Sequence, residues 1–111
     1  MSKALIEKLK RERERKVEVA GNSFTIRRPT DAEVVAMDGR RALDYVQAFV
    51  VDWDLAELAV VPGGGPEKVP FDRELWAEWV SDRPQIWEPL ANALLEDYKA
   101  HVEARETAGK N

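Results

Sequence analysis

The stretch Val17-Glu18-Val19-Ala20-Gly21-Asn22-Ser23-Phe24-Thr25-Ile26-Arg27-Arg28 decides the fold class of this chain. Apolar and polar residues alternate on both sides of Gly21-Asn22, so every second side chain shares a face. Gly and Asn both tolerate positive φ, which makes Gly21-Asn22 the expected two-residue turn of a β-hairpin. That turn sets Val19 opposite Phe24 and Val17 opposite Ile26, with all four side chains on one face. Two strands alone are marginal, so this face is expected to lie against helices.

On the C-terminal side, Pro29-Thr30-Asp31-Ala32-Glu33 opens a helix. Thr30 and Glu33 have the spacing of a capping box, each able to satisfy an orphan backbone N–H. The helix carries Val34, Val35 and Met37 and ends or bends at Gly39. A second helix is expected at about 41–52, because Val46, Phe49, Val50 and Trp53 recur at helical spacing. Pro62-Gly63-Gly64-Gly65-Pro66 forbids regular structure, so 54–70 reads as a long loop with a flexible tip. Asp72 then caps a further helix, with Phe71 placed to staple onto Trp76 and with Trp76, Trp79 and Val80 on the buried side. Ser81-Asp82-Arg83-Pro84 breaks that pattern. Pro89 belongs in the first turn of the last helix, after a short lead-in at 84–88, because deeper in a helix it would cost about 3 kcal/mol. Leu90, Leu94, Tyr98 and Val102 carry the last helix to about 105, and Thr107 to Asn111 reads as a disordered polar tail.

On the N-terminal side, residues 2–16 read as an exposed helix with a narrow stripe of Leu5, Ile6 and Leu9. Glu7–Arg11 and Glu12–Lys16 are placed as favourable i, i+4 pairs. One turn of apolar surface cannot hold such a helix alone, so it must dock or fray. The expected organisation is a basic helical arm (1–16), a helical domain (17–106) with its hairpin at 17–28, and the tail (107–111). The fold class is α+β: mainly α, with a small N-terminal β-hairpin and four to five helices in one domain.

The 111 residues suit one domain and include 44% hydrophobic residues and four Trp, which argues against disorder. There is no Cys, which excludes disulfides, thiolate metal sites and cysteine nucleophiles. One His leaves no room for a His-rich metal site. No apolar run approaches membrane-spanning length and the first residues show no secretory pattern, so a non-exported protein without membrane partners is expected. The net charge of −4 hides a split: residues 1–16 carry seven Lys/Arg against three Glu, and the remainder ten against 18 acids.

Candidate chemistry is sparse. Gly63-Gly64-Gly65-Pro66-Glu67-Lys68 lacks the GK[ST] and following helix of a phosphate loop, so it reads as a plain loop. Asp52 and Asp54 flank Trp53, with Asp38 and Asp44 upstream, but no calcium-loop spacing joins them and they read as solvated acids. His101 has no nucleophile or acid at a recognisable spacing and reads as a surface His near a helix C-terminus. The basic arm (Lys8, Lys10, Arg11, Arg13, Arg15, Lys16) would track phosphates, but interleaved Glu7, Glu12 and Glu14 repel them and no aromatic is there to stack on bases. An ion-paired or protein-docking arm is preferred. Each tryptophan falls on an apolar stripe and reads mainly as core. Trp76 and Trp79 cannot both be central on so short a helix, however, which leaves room for an aromatic contact patch.

Four segments in order, VEVAGNSFTIRRPTDAE (17–33), VVDWDL (50–55), VPFDRELWAEWVSDRP (69–84) and IWEPLANALLEDYKAH (86–101), resemble the small tail assembly chaperones of long-tailed bacteriophages and prophages. The resemblance covers roughly residues 17–105, carries no catalytic motif, and does not include the basic arm. It implies a non-enzymatic protein without cofactor or metal. Such a protein would coat the tape measure protein, help recruit tail tube subunits, act in the bacterial host cytoplasm and leave before the virion is complete. It also implies a programmed −1 frameshift, and Ala108-Gly109-Lys110-Asn111 can be encoded by slippery heptamers. Trp76, Trp79, Trp87 and Tyr98, with Leu5 and Leu9 on the arm, are the candidate partner contacts. Self-association is left open, and nucleic acid is disfavoured. The alternative function is a small nucleic-acid-associated regulator or adaptor using the basic arm.

Overall fold

The computed structural model describes residues 2–109. The hairpin forms, as strands β1 (Glu14–Val19) and β2 (Asn22–Arg27). Its turn is Ala20-Gly21, one residue earlier than expected, and Val17 pairs with Phe24 and Val19 with Asn22. Ala20 and Gly21 have φ of 53° and 80°, the two positive values that a type I′ turn needs to match strand twist. The pairing thus slides by two residues. An even slip preserves the face of every side chain, so Val17, Val19, Phe24 and Ile26 still point the same way.

The largest departure from the sequence expectation lies at Val50–Trp53. Helix α3 (Ala42–Phe49) stops at Phe49, and Val50–Asp54 is a third strand, β3, antiparallel to β2. Val50 pairs with Ile26, Asp52 with Thr25 and Trp53 with Phe24, so the ladder shifts register at Thr25/Ile26 and Val51 is the extra residue of a β-bulge. The bulge lets Val50 and Trp53, three residues apart, both face inward. Their spacing imitates a helix while the backbone is a strand.

The arm is also shorter than expected. Helix α1 (Ser2–Glu12) ends before Arg13, and Glu14–Lys16 belong to β1. The sheet hydrogen bonds reach that far, since Arg28 N–H donates to the Arg13 carbonyl at 2.8 Å. Consequently Glu12–Lys16 cannot be a helical pair, and among the described residues neither it nor Glu7–Arg11 forms an ion pair.

The other starts and stops follow their local signals. Helix α2 (Asp31–Ala36) has the full Thr30/Glu33 capping box. Helix α5 (Arg73–Val80) is capped by Asp72, whose carboxylate accepts the Leu75 N–H at 2.9 Å. The rings of Phe71 and Trp76 meet at 6.3 Å, completing the staple. A 3-10 turn (Pro84–Ile86) leads into helix α6 (Trp87–Gly109), with Pro89 in its first turn. Helix α6 runs through Thr107–Gly109, which were expected to be disordered; Lys110 and Asn111 lie outside the described residues.

Residues 54–70 are better tied than a flexible loop. They include a single helical turn, α4 (Glu57–Val60), and a bridge between Ala56 and Lys68. Glu57 N–H donates to the Glu67 carbonyl at 2.8 Å and Leu58 N–H to that of Gly65 at 2.9 Å, drawing the two limbs together. A Cβ at Gly64 would stand 2.6 Å from the Glu57 carbonyl oxygen, so the close approach needs glycine there.

The result is a three-stranded antiparallel sheet in the order β1-β2-β3 with α3, α5 and α6 packed on its apolar face. Phe24, Ile26, Val46, Val50, Leu55, Trp76, Val80, Leu90 and Leu94 are buried at the centre. Each tryptophan also ties its indole N–H to a backbone carbonyl. Trp53 donates to Val69 at 2.8 Å, Trp76 to Val46 at 3.1 Å, Trp79 to Ala59 at 3.2 Å and Trp87 to Val80 at 2.7 Å. These bonds satisfy the one polar group of each ring and pin separate segments to one core.

Candidate partner-binding surface

Helix α1 buries none of its residues. Leu5, Ile6 and Leu9 lie on one face and are 63%, 47% and 53% exposed. The five- and nine-positions sit almost above each other and the six-position is beside them, which makes one continuous apolar stripe. Lys3, Lys8, Lys10 and Arg11 stand exposed on the same helix. Among the described residues of α1 none is buried, so the stripe stands open along the helix.

At the C-terminal end of the stripe, Leu9 borders a cleft of about 340 Å³ shared with Arg13, Arg28, Asp31 and His101. Burial lowers the pKa of the Arg28 guanidinium, and the neighbouring charge of Arg13 adds to the effect. Asp31, at the start of α2, holds the far wall together. It accepts the Tyr98 hydroxyl at 2.8 Å and the Arg105 guanidinium at 2.6 Å. The Tyr98 hydrogen bond and then Arg105 keep the Asp31 carboxyl below its usual range, while Asp31 raises the Tyr98 hydroxyl above its own. A further ion pair, Arg15 to Asp97 at 3.0 Å, fastens β1 to α6. The cleft therefore has one wall from α1, made by Leu9 and Glu12, and a hydrogen-bonded polar wall from α2 and α6.

Of the six residues singled out from sequence, the structure brings three to this region. Leu5 and Leu9 form the stripe, and Tyr98 is joined to the cleft through Asp31. Trp87 is half-buried elsewhere, against Leu43, Pro84 and Pro89 in an open groove of about 830 Å³. Trp76 and Trp79 are not surface residues at all, at 0% and 7% exposure. The expectation that one of them would be displaced outward fails because α4 supplies a second wall: the Ala59 carbonyl accepts the Trp79 indole, and the Arg83 guanidinium covers its ring at 4.3 Å. Both tryptophans fit because the tied loop covers α5 on the side the sheet does not.

Three of the acids take ordinary structural places, and half-buried His101 lines the cleft. Asp54 pairs with Lys68 at 2.7 Å, Asp44 accepts the Arg41 N–H at 3.1 Å, and Asp52 accepts the N–H of Trp53 at 2.9 Å. Among the described residues no group of three or more His, Asp or Glu converges where a metal ion would sit. No described helix is long and apolar enough to cross a membrane. The structure adds exposed apolar residues that sequence reasoning did not select: Val35, Leu58, Val61 and Leu95. For Leu58 and Val61 the signal was present, since the adjoining Pro-Gly run keeps that segment from burying both.

No protein family model, no curated protein and no solved structure matches this chain.

Proposed function

We propose that this chain acts by contact, as a tail assembly chaperone that shields the tape measure protein and helps recruit tail tube subunits. The observation that carries the reading is the open Leu5-Ile6-Leu9 stripe on α1, beside a body whose sheet packs its apolar face into the core. A tape measure protein presents long helices with apolar surface before the tube encloses them, and an amphipathic helix offers such surface a matching face. The ordered resemblance of residues 17–105 to these chaperones supports the same reading. On it, the protein is not an enzyme, works in the bacterial host cytoplasm and is absent from the finished virion.

Co-expression with a tape measure protein, which this reading expects to be encoded in a very long neighbouring gene, tests the proposal. The tape measure protein should be soluble and captured with the wild-type chain, and both should fail with Leu5→Ser/Leu9→Ser. Equal solubility of the tape measure protein without this chain would overturn it. A gene order lacking a tube gene before and a very long gene after would count against it as well.

One observation favours a second reading, in which the arm binds nucleic acid. The cations Lys3, Lys8, Lys10 and Arg11 are exposed and form no ion pair with Glu7 or Glu12. Binding of short duplex DNA with a steep salt slope, lost on Lys10→Ala/Arg11→Ala/Arg13→Ala, would replace the chaperone reading with that one.

A further inference from the structure

Strand β1 forms one edge of the sheet. Because the turn follows the Val19–Asn22 pair, Arg15, Val17 and Val19 spend their backbone groups on β2. The Arg28 N–H to Arg13 carbonyl bond continues the same alternation. The N–H and C=O groups of Glu14, Lys16 and Glu18 therefore point away from the sheet. No backbone or side-chain hydrogen bond from another element reaches them, and these three residues are exposed. A row of unpaired backbone groups is a template for another strand.

We propose that β1 pairs antiparallel with β1 of a second copy about a two-fold axis, joining two sheets into one of six strands. Two-fold pairing that keeps both apolar faces on the same side allows only registers that preserve the pleat. One central register sets Lys16 opposite Lys16 and Glu14 opposite Glu18, stacking like charges on both sides of the axis. The other sets Val17 opposite Val17, with Lys16 opposite Glu18 on each side. Opposite charges directly across a ladder stabilise it and like charges oppose it. The alternation Glu14-Arg15-Lys16-Val17-Glu18-Val19 thus rejects the first register and selects the second. In it, Lys16 and Glu18 form hydrogen-bonded pairs and Val17 a close non-hydrogen-bonded pair at the axis.

The helix layer leaves room for this. Asp97 bonds Arg15, so that flank of α6 looks toward the β1 edge. Ala93, Ala100 and Ala104 share the flank with Asp97 at i, i+3 and i+4 spacing, and no bulky side chain stands among them. Two α6 helices can approach over the joined edge at the usual interaxial distance of about 8–10 Å.

The inference is independent of the proposed function, because it uses the sheet edge and not α1. Its test exploits the absence of cysteine from the chain. Full-length protein, followed by sedimentation equilibrium up to about 200 µM, should dimerise. Lys16→Glu and Glu18→Lys should each weaken the dimer by about tenfold or more, and the double reversal should restore it, since it exchanges the charges of each pair. Val17→Cys should cross-link into a covalent dimer on mild oxidation, because a non-hydrogen-bonded pair holds Cα atoms about 4.5 Å apart, within disulfide range. Lys16→Cys should not. A wild-type monomer throughout that range, a double reversal no better than the singles, or cross-linking through Cys at 16 in place of 17 would each overturn the proposal.

Discussion

Replacing Trp76 with Phe separates a structural tryptophan from a contact tryptophan. The indole is fully buried, with ring centroids 5.6 Å from Phe24, 6.0 Å from Trp53 and 5.9 Å from Trp79. Its N–H donates to the Val46 carbonyl at 3.1 Å, an oxygen that also accepts the Val50 N–H, so Phe removes a bond without orphaning the acceptor. The lost bond costs about 1 kcal/mol. The missing ring leaves roughly 40 Å³, which at about 24 cal/mol per Å³ adds about 1 kcal/mol more. A total of about 2 kcal/mol is a large part of a stability that for such domains is roughly 5–15 kcal/mol. In urea, followed by circular dichroism, the midpoint should fall by about 1 M with unchanged slope. On heating, Tm should fall by roughly 8–9 °C, from about 2.1 cal/mol/K of unfolding entropy per residue. Leu5→Ala, on a side chain 63% exposed, should stay within about 0.5 kcal/mol of wild type. A Trp76→Phe change below about 0.5 kcal/mol, or a Leu5→Ala change as large, would refute the assignment of core and open stripe.

Three further outcomes follow from local geometry. Thr30→Ala removes the hydroxyl that accepts the Glu33 N–H at 3.2 Å and should cost about 1 kcal/mol in urea unfolding, while Thr30→Ser should recover most of it. Ala20→Asn should stabilise by about 0.5–1 kcal/mol in the same assay, because Ala20 sits at φ 53° and Asn tolerates that region, giving the Asn-Gly pair that type I′ turns favour. Asp31→Asn should move the Tyr98 midpoint down toward the ordinary value of 10.0, read by tyrosinate absorbance in a Tyr45→Phe background. The signs of the pH dependence follow from the same contact. The lowered Asp31 contributes above its unfolded pKa and loses that contribution as pH falls through its folded value; the raised Tyr98 contributes below its unfolded pKa and loses it as pH rises through its folded value. A Tyr98 midpoint unmoved by Asp31→Asn would sink this account.

What could be read from sequence was what local chemistry decides. The Thr30 and Asp72 caps, the Phe71 staple and the place of Pro89 each depend on residues within five positions, and each lies where expected. The hairpin's existence and its buried face were legible for the same reason. Its exact turn was not, because Ala20 carries no mark of the positive φ it adopts. The third strand was hidden by the bulge at Val51: one extra residue turns a period of two into a spacing of three, and Val46-Phe49-Val50-Trp53 then imitates a helix. Where α1 ends was likewise hidden, since the bond that makes Arg13 part of the sheet comes from Arg28, fifteen residues away.

The same division runs through the candidate surface and explains which contacts could be found. An unpartnered apolar stripe is a property of one helix, so Leu5 and Leu9 were visible as soon as the arm was read as helical. Burial of a tryptophan is a property of whatever lies across from it. Trp79 would stand open if α5 had only the sheet behind it, and it is closed because Ala59 and Arg83 arrive from segments that looked like a loop and a helix break. Tyr98 falls between the two cases. Its place on the α6 stripe is local, but its hydroxyl is drawn to Asp31 from 67 residues away, which ties it to the cleft and away from the core. A surface of this kind is legible from sequence to the extent that its residues lack partners, and it becomes illegible where distant backbone supplies them.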